Sequence, residues 1–218
     1  MIAELLPAAA VGVEAFGDEA AVALFPEEAE AVGRAVEKRR REFATARGCA
    51  RDALERLGVA AGPIPSGERG EPLWPAGVVG SITHCDGYRA CAVARAGELT
   101  AIGIDAEPNL PLPAGLLGDV ALPEEAERLR ELAAAAPAIH WDRLLFSAKE
   151  AVYKAWYPLA GRWLGFEDAR LELDPAAGSF SARLLVPGPV VAGSELTGFS
   201  GRWLAGRGLL LCAIALRP

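Results

Sequence analysis

Two short stretches of the chain hold acidic and basic side chains at spacings that suit cation and phosphate chemistry. In one, Asp105 and Glu107 stand at positions i and i+2 at the end of an apolar strand, so both carboxylates project from the same face. In the other, Glu150 stands between Lys149 and Lys154 on a predicted helix. If the fold brings these stretches together, three carboxylates converge beside ammonium groups. Such a set suits a hard divalent cation held by oxygen ligands, with phosphates on its open side.

Each stretch also has an ordinary structural explanation. Two acids can simply end a strand before a proline turn, although like charges this close repel each other and a cation relieves that repulsion. Glu150 and Lys154 are four residues apart, in the order that favours an exposed ion pair worth only ~0.2–0.5 kcal/mol. However, Glu150 shares its helical stripe with Phe146, Tyr153 and Tyr157, and a plain solvent face seldom has that composition.

A histidine and a glycine-rich loop are further candidates for phosphate or nucleotide contacts. His84 follows a strand and precedes a Cys-Asp-Gly turn, where its ring can donate to a phosphate oxygen, act as a general acid or make a structural hydrogen bond. Gly67 and Gly70 give the loop 67–72 backbone freedom beside Arg69, so a nucleotide can approach it closely. The loop lacks the GK[ST] ending of a P-loop.

A basic cluster lies at residues 38–41, with Arg47 further along the same predicted helix. Arg39 and Arg47 lie on one side of that helix and can clamp one phosphate. The alternative is an ordinary solvated helix face.

Hydrophobic periodicity predicts the elements that would position these residues. A long helix is expected over residues 26–57, because Pro26 opens it and Gly58 ends it. Further helices are expected over residues 123–136 and 141–156, the second ended by Pro158. Strands are expected over residues 11–16, 78–83, 169–173 and 179–186, with hairpins joining 88–95 to 99–106 and 196–204 to 209–216.

This pattern favours an α+β fold of two comparable halves, because it contains neither regular βαβ alternation nor a GxGxxG motif. Three prolines within residues 108–113 mark the best boundary. We therefore expect an N-terminal α+β half over residues 1–107 and a C-terminal α+β half over residues 108–218.

Composition excludes several classes of protein. The chain has 218 residues, of which 52% are hydrophobic and 23% charged, as in globular and not disordered proteins. A formal charge of −7 argues against a nucleic-acid surface. Four scattered cysteines without a CxxC, and only two histidines, argue against zinc and indicate a reduced, cytoplasmic protein. No signal-peptide pattern is seen and the apolar runs are too short to span a bilayer, so no membrane association is expected.

The order of these features resembles the surfactin-type 4′-phosphopantetheinyl transferases, and most closely the actinobacterial members that serve polyketide and nonribosomal peptide assembly lines. The similarity runs over residues 32–166, and the paired GIDxE and FSxKExxxK motifs are highly specific together. The matching segments are RREF (40–43) with Arg47, WPAGVVGSITHC (74–85), GIDAEP (103–108) and FSAKEAVYKAW (146–156).

This resemblance implies a fold, a reaction and partners. The fold would be a pseudo-dimer of two similar α+β halves with the active site in the cleft between them. The reaction would move the phosphopantetheine arm of coenzyme A to a serine of an acyl or peptidyl carrier protein, with release of adenosine 3′,5′-bisphosphate and a requirement for Mg²⁺. A monomer is expected, because one chain supplies both sides of the cleft.

The resemblance also assigns roles around the metal. Asp105, Glu107 and Glu150 would hold Mg²⁺ on the pyrophosphate of coenzyme A, and Glu150 would be the general base for the carrier serine, directly or through a water. Lys154, with Lys149 as a second candidate, would stabilise charge on the phosphates. The residue between the two strand acids is an alanine, which cannot be a side-chain ligand.

Further roles concern coenzyme A. His84 and Thr83 would bind a phosphate, and Arg39 and Arg47 would lie on the 3′-phosphate side, although the motif leaves open which arginine of residues 39–41 points inward. The adenine end would be lined by Arg69, Gly70, Glu71 and Pro72. Trp163 and Leu164 are expected to form the apolar wall for the pantetheine arm.

Carrier proteins are generally acidic and this chain is acidic too, so we expect a locally apolar docking surface. The candidate residues are Leu116, Leu117 and Trp156, with arginines such as Arg162. Two other functions remain open from the sequence: another Mg²⁺-dependent coenzyme A phosphotransferase or pyrophosphohydrolase, and a non-catalytic coenzyme A binder.

Overall fold

The computed structural model describes residues 1–18 and 22–218. In chain order, the helices and strands are α1 (Ile2–Leu5), β1 (Ala10–Phe16), α2 (Pro26–Ala31), α3 (Glu37–Arg56), β2 (Val78–Cys85), β3 (Tyr88–Arg95), β4 (Ala101–Pro108), α4 (Leu117–Val120), α5 (Pro123–Ala135), α6 (Trp141–Ala160), a 3₁₀ turn (Phe166–Asp168), β5 (Ala169–Asp174), β6 (Ser179–Leu184), β7 (Val190–Val191), β8 (Ser194–Glu195), β9 (Gly198–Gly206) and β10 (Leu209–Leu216).

Two larger antiparallel sheets organise the described residues, in addition to the small β7-β8 pair. The first sheet has the strand order β1-β3-β2, and the second has the order β4-β10-β9-β6-β5. The apolar side of α3 packs on the first sheet, and that of α6 packs on the second. Helices that cover antiparallel sheets confirm the predicted α+β class. No helix among residues 1–18 and 22–218 is long and apolar enough to cross a membrane.

The predicted hairpin between residues 88–95 and 99–106 is wrong, although both strands exist. β3 is the central strand of its sheet, with β1 on one edge and β2 on the other, so it has no free edge for β4. Instead β4 pairs with β10 in the second sheet, where Asp105 lies opposite Cys212. The division of the chain after residue 107 stays a prediction, and β4 before it is hydrogen-bonded into the second sheet.

The helix predicted over residues 26–57 is interrupted. Residues 32–36 form a turn between α2 and α3, and Gly33 in that turn has low helix propensity. Arg40 donates from Nε to the carbonyl of Ala35 at 3.1 Å, and Glu28 accepts the backbone N–H of Ile64 at 3.0 Å. These two contacts stabilise the turn between α2 and α3, although the local hydrophobic periodicity favours one continuous helix.

The helix α6 also runs further than predicted. It continues through Pro158 to Ala160 and ends at Gly161, which adopts the left-handed φ of 63°. Pro158 removes one backbone donor close to the C-terminal end, which shortens the ladder by one bond without ending the helix. The predicted hairpin of β9 and β10 is confirmed, as are helix α5 and strands β1, β2, β5 and β6 with ends shifted by at most two residues.

Candidate active site

The two sheets meet along the outer edges of β2 and β4, and side-chain hydroxyls join them. The backbone N–H of Ile104 donates to Ser81 Oγ at 3.1 Å, and the N–H of Ala106 donates to Thr83 Oγ1 at 3.0 Å. Thr83 Oγ1 in turn donates to Asp105 Oδ1 at 3.3 Å. We call this line of hydrogen bonds between β2 and β4 the seam. It places the carboxylate of Asp105 between the sheets, and the Thr83 hydroxyl already makes a structural hydrogen bond to that carboxylate. The phosphate contact of Thr83 stays a prediction.

A glycine brings α6 against this seam. A Cβ built on Gly103 would lie 2.0 Å from the carbonyl oxygen of Ala151, so only glycine permits the close approach. That approach places Lys154 Nζ 2.7 Å from Asp105 Oδ1 and 3.1 Å from the carbonyl of Ile104. The fold therefore unites the two motifs that the sequence singled out.

The carboxylate of Asp105 influences two other carboxyl groups in this region. Asp105 Oδ2 is buried and has no hydrogen-bond partner among the described residues. The pKa of Glu150 is raised by burial and by the charge of Asp105, while Lys154 opposes the shift. The pKa of Glu107 is likewise raised by burial and by Asp105, against the lowering effect of Arg143.

The chemistry of the donor set fits a hard divalent cation, because Asp105 has a buried carboxylate oxygen without a partner among the described residues and its charge disfavours the ionisation of Glu107 and Glu150. The residues are not preassembled as ligands. Within residues 1–18 and 22–218, no three acidic, histidine or cysteine side chains are close enough together to hold a metal ion. Lys154 occupies one carboxylate oxygen of Asp105, and Arg143 occupies one of Glu107.

His84 lies at the C-terminal part of β2, opposite Arg89, and in contact with Arg39. The Nη1 of Arg39 contacts both ring nitrogens of His84. Burial, followed by the charges of Arg39, Lys154 and Arg89, lowers the pKa of His84 to about 4. The ring is therefore neutral at pH 7, a form that can donate one hydrogen bond to a phosphate but is not an imidazolium acid.

Only one arginine of the cluster at residues 39–41 faces this histidine. Arg39 does so, whereas Arg40 donates to backbone carbonyls of the α2–α3 turn. Arg41 lies near Asp18 and Glu37, at 3.9 and 3.6 Å. Arg39 is therefore the arginine of this cluster that lies against His84, and its contact with a phosphate stays a prediction.

Arg47 is a loop anchor in this structure. Its side chain is buried, donates from Nε to the carbonyl of Ile64 at 2.9 Å and from Nη2 to Ser66 Oγ at 3.1 Å, and lies 4.2 Å from the centre of the Phe43 ring. Burial lowers its pKa to about 10, so it stays cationic at neutral pH. Its contact with the 3′-phosphate stays a prediction.

Lys149 also has a structural partner that the sequence did not indicate. Its Nζ lies 2.7 Å from Glu125 Oε2, with both side chains 2% exposed, and donates to the carbonyl of Phe166 at 2.7 Å. Glu125 further accepts the N–H groups of Leu122 and Leu171. The capping position of Glu125 in the first turn of α5 was visible in the sequence, but its buried partner was not.

Two adjoining cavities form a cleft along α6, and both are lined by Glu150 and Tyr153. The first, of about 260 Å³, lies between α6 and the loop that precedes β2. Its other lining residues are Arg69, Gly70, Glu71, Pro72, Trp74, Gly80, Ser81, Ile82, Lys154, Tyr157 and Pro158. The loop predicted for the adenine end therefore lines the same cavity as the predicted base, Glu150.

The second cavity, of about 220 Å³, is mainly apolar. Leu164 lines it, buried, and so does Trp163, which is 65% exposed and lies 4.9 Å from the ring of Tyr153. The predicted apolar wall thus adjoins the predicted base.

One part of the expected docking surface is wrong. Trp156 is fully buried and donates from Nε1 to the carbonyl of Arg162 at 2.9 Å, because its face of α6 packs into the core. Leu116 and Leu117 are partly buried against the same core, and their contact with a carrier stays a prediction.

Comparison with known proteins agrees with this arrangement. The family model for the 4′-phosphopantetheinyl transferase N-terminal domain matches residues 27–94, and that for the 4′-phosphopantetheinyl transferase superfamily matches residues 101–192. The two matches follow one another along the chain, as the two α+β halves do. These observations define a class of protein: two consecutive α+β halves, with a cleft at the seam that contains acidic residues and a lysine.

Relatives that align over nearly the whole chain identify the family more specifically. The chain is 61% identical to 4′-phosphopantetheinyl transferase Svp of Streptomyces mobaraensis, over 99% of this chain and 89% of the relative. It is 49% identical to 4′-phosphopantetheinyl transferase Npt of Nocardia iowensis, over 99% of both chains. It is 47% identical to 4′-phosphopantetheinyl transferase PptT of Mycobacterium tuberculosis, over 99% and 98%. The chain belongs to the 4′-phosphopantetheinyl transferase family and has its pseudo-dimeric α+β fold.

Proposed function

We propose that this enzyme transfers phosphopantetheine from coenzyme A to a serine hydroxyl of an acyl or peptidyl carrier protein and releases adenosine 3′,5′-bisphosphate. The observation that supports this most is the position of Glu150, which lines both the cavity that Arg69 and Lys154 line and the apolar cavity that Leu164 lines, while Lys154 contacts Asp105 at the seam. Coenzyme A has the same order of parts, with a charged nucleotide, a pyrophosphate and an extended pantetheine arm.

The residues present fit Mg²⁺, which would be held by Asp105, Glu107 and Glu150 and would neutralise charge on the pyrophosphate. Lys154 donates to phosphate oxygens from the position where it now contacts Asp105. Arg39 and neutral His84, which lie together at the C-terminal part of β2, would donate to a further phosphate of coenzyme A. These donors position the reacting phosphorus and offset the charge that develops in phosphoryl transfer.

The reaction needs a base, because a serine hydroxyl is a weak nucleophile. Glu150 accepts the serine proton, directly or through a water, while the serine oxygen bonds to the phosphorus that bears the pantetheine arm. The bond from that phosphorus to the bridging oxygen breaks, and adenosine 3′,5′-bisphosphate leaves with the bonding electrons. In the metal-free protein burial and the charge of Asp105 raise the pKa of Glu150, and a bound Mg²⁺ would lower it again.

The test is intact-mass spectrometry of an apo carrier protein incubated with the enzyme, coenzyme A and Mg²⁺. The expected result is the gain of one phosphopantetheine per carrier, lost with Glu150→Gln or with a chelator. Glu127→Gln is the matched control, because Glu127 is an exposed acid on α5 outside the cleft.

The two other functions are separable in the same tube. Cleavage of coenzyme A without any carrier adduct would favour a pyrophosphohydrolase, and binding of intact coenzyme A without turnover would favour a non-catalytic binder. Wild-type enzyme that is folded and yet modifies none of several acyl and peptidyl carriers would contradict the proposal.

We also expect the enzyme to act in the cytoplasm, without nucleic-acid or membrane partners, and as a monomer. One chain supplies β2 and β4 on the two sides of the seam, so a second copy is not needed to complete the cleft. Light scattering at working concentrations tests the monomer, and a stable dimer would contradict it.

A further inference from the structure

Arg143, in the first turn of α6, makes three directed contacts with the segment that carries Glu107. Its Nη1 donates to Glu107 Oε2 at 2.9 Å, its Nε to the carbonyl of Leu110 at 3.2 Å and its Nη2 to the carbonyl of Pro111 at 2.8 Å. The side chains of Arg143 and Glu107 are only 17% and 19% exposed. The guanidinium is therefore fixed by backbone groups that do not depend on Glu107.

Neighbouring contacts hold the same segment. Asp142 accepts the N–H of Leu112 at 2.9 Å, and Asn109 bridges to the residues before α6 by accepting the N–H of His140 and donating to the carbonyl of Ala138. The segment that follows β4 is thus attached to the start of α6. Arg143 is the member of this attachment that reaches a carboxylate of the proposed metal site.

The contact uses one oxygen of that carboxylate. Arg143 holds Oε2, and Oε1 of Glu107 makes no hydrogen bond to the described part of the chain. A guanidinium bound to one oxygen orients the other, and carboxylates that bind metals are commonly fixed by such outer partners. A glutamate side chain that is already oriented also loses less conformational freedom when a cation binds.

We infer that Arg143 is a positioning residue that presents Oε1 of Glu107 to the divalent cation of the active site. This inference rests on the metal site of the proposed function. The alternative is that Arg143 competes with the cation for Glu107. Removal of the arginine would then strengthen metal binding, whereas removal of a positioning residue weakens it.

The experiment measures Mn²⁺ binding to the full-length protein at neutral pH, with and without equimolar coenzyme A, by the loss of the electron paramagnetic resonance signal of free Mn²⁺. We expect Arg143→Gln to weaken Mn²⁺ binding about 10–100-fold, the range typical when an outer partner of a metal ligand is removed. The control is Arg128→Gln, which removes an exposed arginine that pairs with Glu131 and leaves Mn²⁺ affinity unchanged.

A double-mutant cycle separates positioning from general structural support. If Arg143 acts through Glu107, Arg143→Gln causes no further loss of Mn²⁺ affinity in a Glu107→Gln background. An equal loss in both backgrounds would overturn the inference, and so would unchanged or tighter Mn²⁺ binding by the single variant. Thermal unfolding without metal verifies that each variant is folded. Arg143→Lys, which keeps the charge without the fork, replaces the glutamine variant if that variant does not fold, with weakened binding again expected.

The inference and the proposed function fail in different ways. Wild-type protein that transfers phosphopantetheine and binds Mn²⁺, with Arg143→Gln unchanged, contradicts the role of Arg143 alone. Wild-type protein that binds no Mn²⁺ either with or without coenzyme A contradicts the metal site itself, and the role of Arg143 with it.

Discussion

Replacement of Lys149 by methionine distinguishes a structural lysine from a phosphate-binding one. The substitution keeps the length of the side chain but removes the ammonium group from Glu125, to which Nζ lies at 2.7 Å with both side chains 2% exposed. Breaking a buried ion pair by removing one partner costs about 3–5 kcal/mol, because the remaining charge is left uncompensated. Glu125 keeps two backbone N–H donors, from Leu122 and Leu171, so we expect a loss near the lower end, about 3 kcal/mol.

For a chain of this length, a loss of about 3 kcal/mol lowers the midpoint of thermal unfolding by roughly 6–12 °C. Urea denaturation at pH 7 measures the free energy of unfolding, and calorimetry measures the midpoint. The double variant Lys149→Met/Glu125→Gln should be more stable than the single one, because both charges are then absent. Lys38→Met serves as the control, since it removes an exposed lysine paired with exposed Asp86 and should leave the midpoint unchanged.

Coenzyme A binding completes the test. If Lys149 is structural, titration calorimetry at a temperature where the variant is folded gives nearly wild-type affinity for coenzyme A. Wild-type stability combined with a large loss of that affinity would refute the reasoning, because Lys149 would then contact phosphate and not depend on Glu125.

Four other predictions follow from the same geometry. The pKa of His84 is lowered to about 4 from an ordinary 6.5, so between these values the native state binds fewer protons than the unfolded chain, and the free energy of unfolding falls as the pH drops from about 6.5 toward 4. We expect His84→Gln to flatten this part of the pH profile of stability, measured by urea denaturation. An unchanged profile would contradict the buried neutral ring. Trp163→Ala raises the KM for coenzyme A roughly tenfold in steady-state assays, by removing apolar contact, without a change in thermal midpoint, since the ring is 65% exposed; an unaltered KM would remove this ring from the pantetheine wall. Gly103→Ala lowers stability by about 1–3 kcal/mol and lowers transfer activity, because the added Cβ pushes α6 from β4; a fully stable, fully active variant would argue against the close approach. Arg47→Met should lower the free energy of unfolding by about 2–3 kcal/mol, because it removes charged hydrogen bonds, whereas Arg39→Met should lower only the affinity for coenzyme A. Urea denaturation measures the first effect and titration calorimetry the second. Loss of stability in the Arg39 variant and loss of affinity in the Arg47 variant would exchange the two roles.

Local patterns predicted the elements well where one face of an element is buried. Along α6, Leu145, Ala148 and Val152 recur at helical spacing, and all three are buried. Strand partners were harder to predict, because pairing depends on which sheet edges remain free. The wrong hairpin between β3 and β4 shows this, since the partner of β4 is β10, about a hundred residues further along the chain.

The candidate site shows the same division between residue type and residue environment. Type and spacing marked Asp105, Glu150 and Lys154 as candidates and the family resemblance assigned their roles, which stay predictions; the structure shows that Lys154 reaches Asp105 and that the charge of Asp105 acts on Glu150. The environments of Lys149 and Arg47 were not evident, because Glu125 and the Ile64 carbonyl that receive them are remote in sequence. A basic residue beside a motif is therefore weak evidence for ligand contact until its burial and its partners are known.

The glycine and the acids of the GIDAE stretch act as one physical unit. Gly103 lets α6 approach β4 so closely that Lys154 reaches both the backbone and the carboxylate of β4. Two residues on from Gly103, Asp105 points to the same face of the strand and meets that lysine. The glycine thus sets how far Glu150 and Lys154 stand from the seam, so a change at Gly103 should alter the chemistry of the site without removing any reacting group.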